Sequence, residues 1–162
     1  MIAMNLLNFK NISDDYDRAF QLVSYLFHDK KDKAGIPYIN HLVSVSNMLD
    51  TRTTKIAGLL HDVLEDIPNF TVNDLKRLGF SDEVVEIVKI VTKDKTNKES
   101  YHDWITKIIK TKNIDALKVK YADIKDHLNA KRLSLLNEEK KLYFISKYSE
   151  EKSRLEKALI SA

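Results

Sequence analysis

Ile56-Ala57-Gly58-Leu59-Leu60-His61-Asp62-Val63-Leu64-Glu65-Asp66 is an apolar stretch carrying four polar side chains. On a helix turning about 100° per residue, His61, Asp62, Glu65 and Asp66 share a sector of roughly 140°, and Ile56, Ala57, Leu60, Val63 and Leu64 fill the remainder. A helix this apolar belongs in a core. An imidazole and three carboxylates buried without partners would cost several kcal/mol each, or lose their charge. Something cationic should therefore face them. A divalent metal is the economical candidate, because imidazole nitrogen and carboxylate oxygen suit Mn, Fe, Zn or Mg. A polar edge turned to solvent would satisfy the same pattern, and this stretch alone leaves the two open.

Around it, 162 residues make one domain (1–162) with room for a substantial core. Three glycines and two prolines leave little material for turns, which points to an all-α chain. Cysteine is absent, so neither a disulfide framework nor a thiolate metal site is available, in keeping with a reducing compartment such as the cytoplasm. No apolar run approaches the roughly 18 residues that span a bilayer, and Met1 to Phe9 lacks the basic start and long apolar core of a signal peptide. With 27 basic against 24 acidic residues, the net charge of +3 gives no reason to expect a nucleic acid polymer or a membrane as partner.

Seven or eight helices are expected. Ser13 opens the first, with Tyr16, Ala19, Phe20, Val23, Leu26 and Phe27 as its apolar face, ending near His28. The charged loop Asp29 to Pro37 carries Lys30, Lys31 and Lys33, which suit either phosphate or solvent. A second helix follows Pro37 through Tyr38, Ile39, Leu42, Val45 and Leu49, with His41 beside its stripe. Thr53 or Thr54 caps the central helix, which Pro68 stops near Ile67. Thr71 to Leu78 is a short helix. The β-branched run Val84 to Val91 reads as helix from its 84/87/88/91 spacing, capped by Ser81. Tyr101, Trp104, Ile105 and Ile108 mark another. Asn113 caps a helix with apolar positions 114, 117, 121, 124 and 128, and Lys120, Asp123 and His127 run along its edge like a surface network. Leu142, Ile145, Tyr148, Leu155 and Leu159 form a last helix, expected as scaffold or oligomer surface. Tyr143, Phe144 and Tyr148 would serve a homodimer or the core equally well.

Three helices thus offer His41, His61 with Asp62, and Asp123, in that order. This arrangement resembles the HD superfamily of metal-dependent phosphohydrolases, whose fold is a helical bundle. Gly35-Ile36-Pro37-Tyr38-Ile39-Asn40-His41, His61-Asp62-Val63-Leu64-Glu65-Asp66 and Val119-Lys120-Tyr121-Ala122-Asp123 resemble the corresponding segments of the hydrolase domain of RelA/SpoT stringent-response enzymes, including its small stand-alone forms. The likeness covers roughly residues 15 to 130.

The resemblance implies that His41, His61, Asp62 and Asp123 hold a divalent ion, Mn²⁺ foremost with Fe, Zn, Mg, Co or Ni as alternatives. It implies that Glu65 and Asp66 assist the attacking water. Lys31, Lys120 and His127 are the expected substrate contacts. The implied activity is hydrolysis of a small nucleotide, with the 3′-pyrophosphate of guanosine 3′,5′-bis(diphosphate) as best guess; another nucleotidase activity or a non-catalytic nucleotide sensor is the alternative. This sequence departs from the guanosine tetraphosphate hydrolases at His127, where they carry Asn, and in the basic cluster before Gly35, which lacks their arginine. The departures touch base recognition and leave the metal set whole.

Overall fold

The computed structural model describes residues 6–162, so the reading of Met1 to Phe9 falls mostly outside the described residues. After a 3₁₀ turn at Leu7–Asn11, the chain forms α1 (Asp15–Leu26), α2 (Ile39–Asn47), α3 (Arg52–Leu60), α4 (Val63–Asp66), α5 (Val72–Arg77), α6 (Asp82–Ile90), α7 (Tyr101–Lys110), α8 (Ile114–His127), α9 (Ala130–Ser134) and α10 (Glu138–Ile160). No strand occurs among the described residues, and eight of these helices run to six residues or more, as an all-α bundle requires.

Local chemistry sets the helix ends. Asp14, rather than Ser13, caps α1 by accepting from Asp17 N–H. Thr51, rather than Thr53 or Thr54, caps α3, and Thr54 is its reciprocal partner three residues on. The β-branched run does form α6, with Val84, Val85, Ile87 and Val88 buried. Two short elements have no apolar period to announce them, the 3₁₀ turn and α9. Asn129 caps α9, its side chain accepting from the N–H groups of Lys131 and Arg132.

Helix α3 packs against α1, α2, α6 and α8, and Ile56, Leu59 and Leu60 are almost wholly shielded from water. Burying each contributes about 1.5–3 kcal/mol. Helix α8 is buried on two sides: Ala116, Val119 and Ala122 join the α1–α6 core, and Leu117 and Ile124 join a second cluster with α7 and α10. That sandwich is why Lys120 (6% exposed) and Asp123 (4%) lie in the interior and not along a surface edge.

Instead of one helix through Asp66, the chain turns between α3 and α4 at His61 and Asp62. In an unbroken helix the Gly58 carbonyl would accept from Asp62 N–H. Here it accepts from His61 Nδ1 at 2.7 Å. Gly58 also lets α3 approach α2, since a Cβ there would meet Leu49 Cδ1 at 2.8 Å and Ser46 Cα at 3.2 Å. Gly58→Ala should therefore destabilise the protein by about 1–3 kcal/mol in urea unfolding. Stabilisation of up to ~1 kcal/mol, the helix-propensity gain alone, would contradict this close packing.

Candidate metal centre

Two helices, α2 and α8, and the α3–α4 turn bring four side chains together. His41 Nε2 lies 3.3 Å from His61 Nε2, and Asp123 Oδ1 is 3.2 Å from the first and 3.4 Å from the second. Asp62 Oδ2 is 3.1 Å from His61 Nε2 and 3.7 Å from His41 Nε2, while accepting from the Tyr38 hydroxyl at 2.6 Å. The potential ligand atoms of His41, His61 and Asp123 all lie within 4.8 Å of one another.

The proton positions follow from the partners. A carbonyl only accepts, so His61 Nδ1, bonded to Gly58 O, carries the hydrogen. His41 Nδ1 donates to Asp126 Oδ2 at 2.6 Å. In the neutral form that a metal requires, both rings therefore turn their Nε2 lone pairs toward each other, with two carboxylate oxygens beside them. Asp123 Oδ1 is buried and receives no aligned hydrogen bond, although His127 Nε2 stands 3.2 Å away. A convergence of acceptors around one orphaned oxygen fits a divalent ion and leaves few other ways to neutralise it. The donor set, two imidazoles and two carboxylates, suits Mn²⁺, Fe²⁺ or Zn²⁺ alike.

Asp126 supports this centre. It is buried, accepts from Ser44 Oγ at 2.6 Å, and pairs with Arg132 Nε at 2.8 Å. Orienting a ligating histidine through its far nitrogen is the usual work of such a carboxylate. Its place three residues after Asp123, on the same helical face, was the only signal in the sequence.

The other expected residues sort differently. Lys120, expected on the cleft edge against phosphate, is inside: its Nζ bonds Asp123 Oδ2 at 2.7 Å and sits 4.2 Å from the centre of the Trp104 ring. Burial disfavours its charge, but the Asp123 carboxylate outweighs that and holds the ammonium well above its ordinary range. Glu65 accepts from Lys93 N–H at 2.9 Å; burial, with Asp62 nearby, raises its carboxyl. Asp66 is paired to Lys30, and to Lys95 at 3.2 Å, so neither of its oxygens is free. His127 stacks on Tyr148 at 4.8 Å with planes 4° apart, and burial lowers its imidazole.

A cavity of about 350 Å³ opens from His41 and His127 to the surface. Lys30, Lys31, Lys33 and Lys147 line it, with Tyr38, Tyr143, Phe144 and Tyr148; its one acid, Asp32, is paired to Arg132. The final helix is thus a cavity wall, which its sequence did not announce.

Burial disfavours charge on His41 and His61, but Asp62, Asp123 and Asp126 outweigh it and raise both imidazoles. The fold therefore favours their protonated forms. In metal-free protein that contribution is complete below the unfolded imidazole value and is lost as pH rises through the raised folded values. A divalent ion needs the neutral rings, so Mn²⁺ should raise the Tm more at about pH 8 than at about pH 6. A metal-induced rise that is the same at both would contradict imidazole ligation.

Known proteins resemble this chain in sequence and in fold. Human MESH1, named a guanosine-3′,5′-bis(diphosphate) 3′-pyrophosphohydrolase, is 41% identical over 73 residues, 41% of this chain and 40% of its own length. A GTP pyrophosphokinase of Streptomyces coelicolor is 38% identical over 81 residues, 48% of this chain and 9% of that enzyme. The matched stretch thus spans two fifths or less of these relatives. A solved structure of a metazoan SpoT ortholog, described as hydrolysing ppGpp with a role in starvation responses, superposes with a TM-score of 0.67 over 92% of this chain and 93% of that one. At 23% identity this likeness shows the fold. The family model described as HD domain matches residues 19–159, and the chain belongs to the HD domain family.

Proposed function

We propose that this chain, acting as one domain in the cytoplasm, is a metal-dependent phosphohydrolase that removes the 3′-pyrophosphate of guanosine 3′,5′-bis(diphosphate). The observation that carries the reading is the meeting of the His41, His61, Asp62 and Asp123 acceptors, of which His41 also lines a cavity walled by four lysines and four aromatic rings. Several phosphates and a planar base are what such a wall is suited to hold. The names of the MESH1 relatives support the same substrate.

His41, His61, Asp62 and Asp123 would hold the ion, Mn²⁺ most of all. When bound, it supplies positive charge against the phosphoryl oxygens and eases deprotonation of water. The chain's own groups do the rest. Glu65, with its carboxyl raised by burial, takes the proton from the attacking water; such a base works nearer neutrality than a solvated carboxylate does. The water oxygen attacks the phosphorus next to the ribose, the bond from that phosphorus to O3′ breaks, and O3′ leaves and takes a proton from solvent, giving guanosine 5′-diphosphate and pyrophosphate. Asp66 positions Lys30, whose ammonium lies 4.1 Å from the Tyr38 ring centre at the cavity wall. Lys31 and Lys33 bring positive charge to the same wall.

One observation favours a different nucleotide as substrate. His127 stands where the resemblance expects an amide, and its Nε2 turns toward Asp123. An imidazole so held lacks the paired donor and acceptor with which an amide reads a purine edge.

Protein stripped of metal and resupplied with Mn²⁺ should release pyrophosphate from guanosine 3′,5′-bis(diphosphate), and Asp62→Ala should abolish release. Glu65→Gln should lower kcat by about 10²–10⁴ while metal still binds. Undiminished turnover by Glu65→Gln would remove it as the base. Release from another nucleotide alone would replace the substrate, and bound metal without turnover on any nucleotide would favour a sensor.

A further inference from the structure

One guanidinium joins the metal centre to the lysine loop. Arg132 Nε reaches Asp126 Oδ2 at 2.8 Å, on the same oxygen that takes His41 Nδ1–H at 2.6 Å. Its Nη1 reaches Asp32 Oδ2 at 2.7 Å, across 100 residues of sequence. Asp32 in turn organises the loop: Oδ1 accepts from Ala34 N–H at 2.8 Å and Ile36 N–H at 2.9 Å, and its own N–H donates to the Ile36 carbonyl at 2.8 Å. Lys31 and Pro37 pair across the base of that turn. Loop, guanidinium, carboxylate and imidazole therefore form one continuous chain of charged hydrogen bonds.

We infer that Arg132 is a positioning residue that couples the Lys31–Pro37 loop to the His41 imidazole, and so sets metal affinity from a place that touches neither metal nor phosphate. This rests on His41 being a ligand. Arg132 lines the cavity and would ordinarily be taken for a phosphate contact. Its Nε and Nη1 are already engaged by two carboxylates, so the trio carries a net negative charge and offers phosphate little. By fixing Asp126 as an ionised acceptor, the guanidinium keeps the His41 Nδ1–H donated and the Nε2 lone pair aimed at the centre. Two carboxylates on two edges of one planar group is a task for Arg; the single ammonium of Lys cannot reproduce it.

The test is Mn²⁺ binding by titration calorimetry without nucleotide, together with the NMR position of the His41 Nδ1 proton. Arg132→Gln should weaken Mn²⁺ about 10-fold or more and shift that proton upfield, and Arg132→Lys should not restore either. Lys131→Gln, its exposed neighbour, should change neither. If Arg132→Gln fails to fold, Asp32→Asn carries the same test, because it leaves Asp126 and His41 intact; it should also weaken Mn²⁺. Mn²⁺ affinity within about twofold of wild type in folded Arg132→Gln would overturn the inference. Wild-type protein that binds no Mn²⁺ would instead overturn the metal reading beneath it.

Discussion

Two imidazole Nε2 atoms 3.3 Å apart, which become bare acceptors once the rings are neutral because the hydrogens sit on the far-side Nδ1 atoms, face two carboxylate oxygens in the interior. Such a group of acceptors repels itself in a low-dielectric medium, and the repulsion grows as water is excluded. A cation turns the same arrangement from a cost into an attraction. Three local features of the chain serve this meeting: the turn between α3 and α4, the close approach of α2 at Gly58, and the burial of α8 on two sides.

The surrounding groups limit how that charge can be met. Asp123 spends one oxygen on Lys120 and keeps the other for the centre. Asp62 receives the Tyr38 hydroxyl on the oxygen that faces the imidazoles. Asp126 takes Ser44, His41 and Arg132 together. Asp62 and Asp126 are thus held by donors from other elements, and Asp123 by Lys120 one turn away on its own helix, so the ligand geometry is set by the fold before any ion arrives. Preorganisation of this kind spares the binding event the cost of ordering its own ligands.

Much of this was legible in the residues. The apolar periods gave the helices, and the polar sector of residues 56 to 66 called for either a cation or solvent. The resemblance carried by residues 35–41, 61–66 and 119–123 implied the four side chains that the fold brings together. What escaped was tertiary. Lys120 read as an edge residue because one apolar stripe is visible at positions 114, 117, 121, 124 and 128; the second face, Ala116, Val119 and Ala122, is made of small residues that carry little hydrophobic signal. Asp126 drew no reading from the sequence, since nothing local shows that His41, 85 residues earlier, will donate to it. Tyr143, Phe144 and Tyr148 have the spacing of a packing face, and only the docking of α10 on α8 makes them the wall of a cavity. Asn129 and the five-residue α9 were too short to show a period, yet they set Arg132 in place.

The central claim is that the buried acceptors share one metal ion. Anomalous diffraction at the manganese edge from crystals grown with Mn²⁺ tests it most directly. The account predicts a single peak about 2 Å from both His41 Nε2 and His61 Nε2, shared with Asp62 and Asp123, and absent from Asp123→Ala crystals. A peak elsewhere, or an undiminished peak in Asp123→Ala, would contradict it.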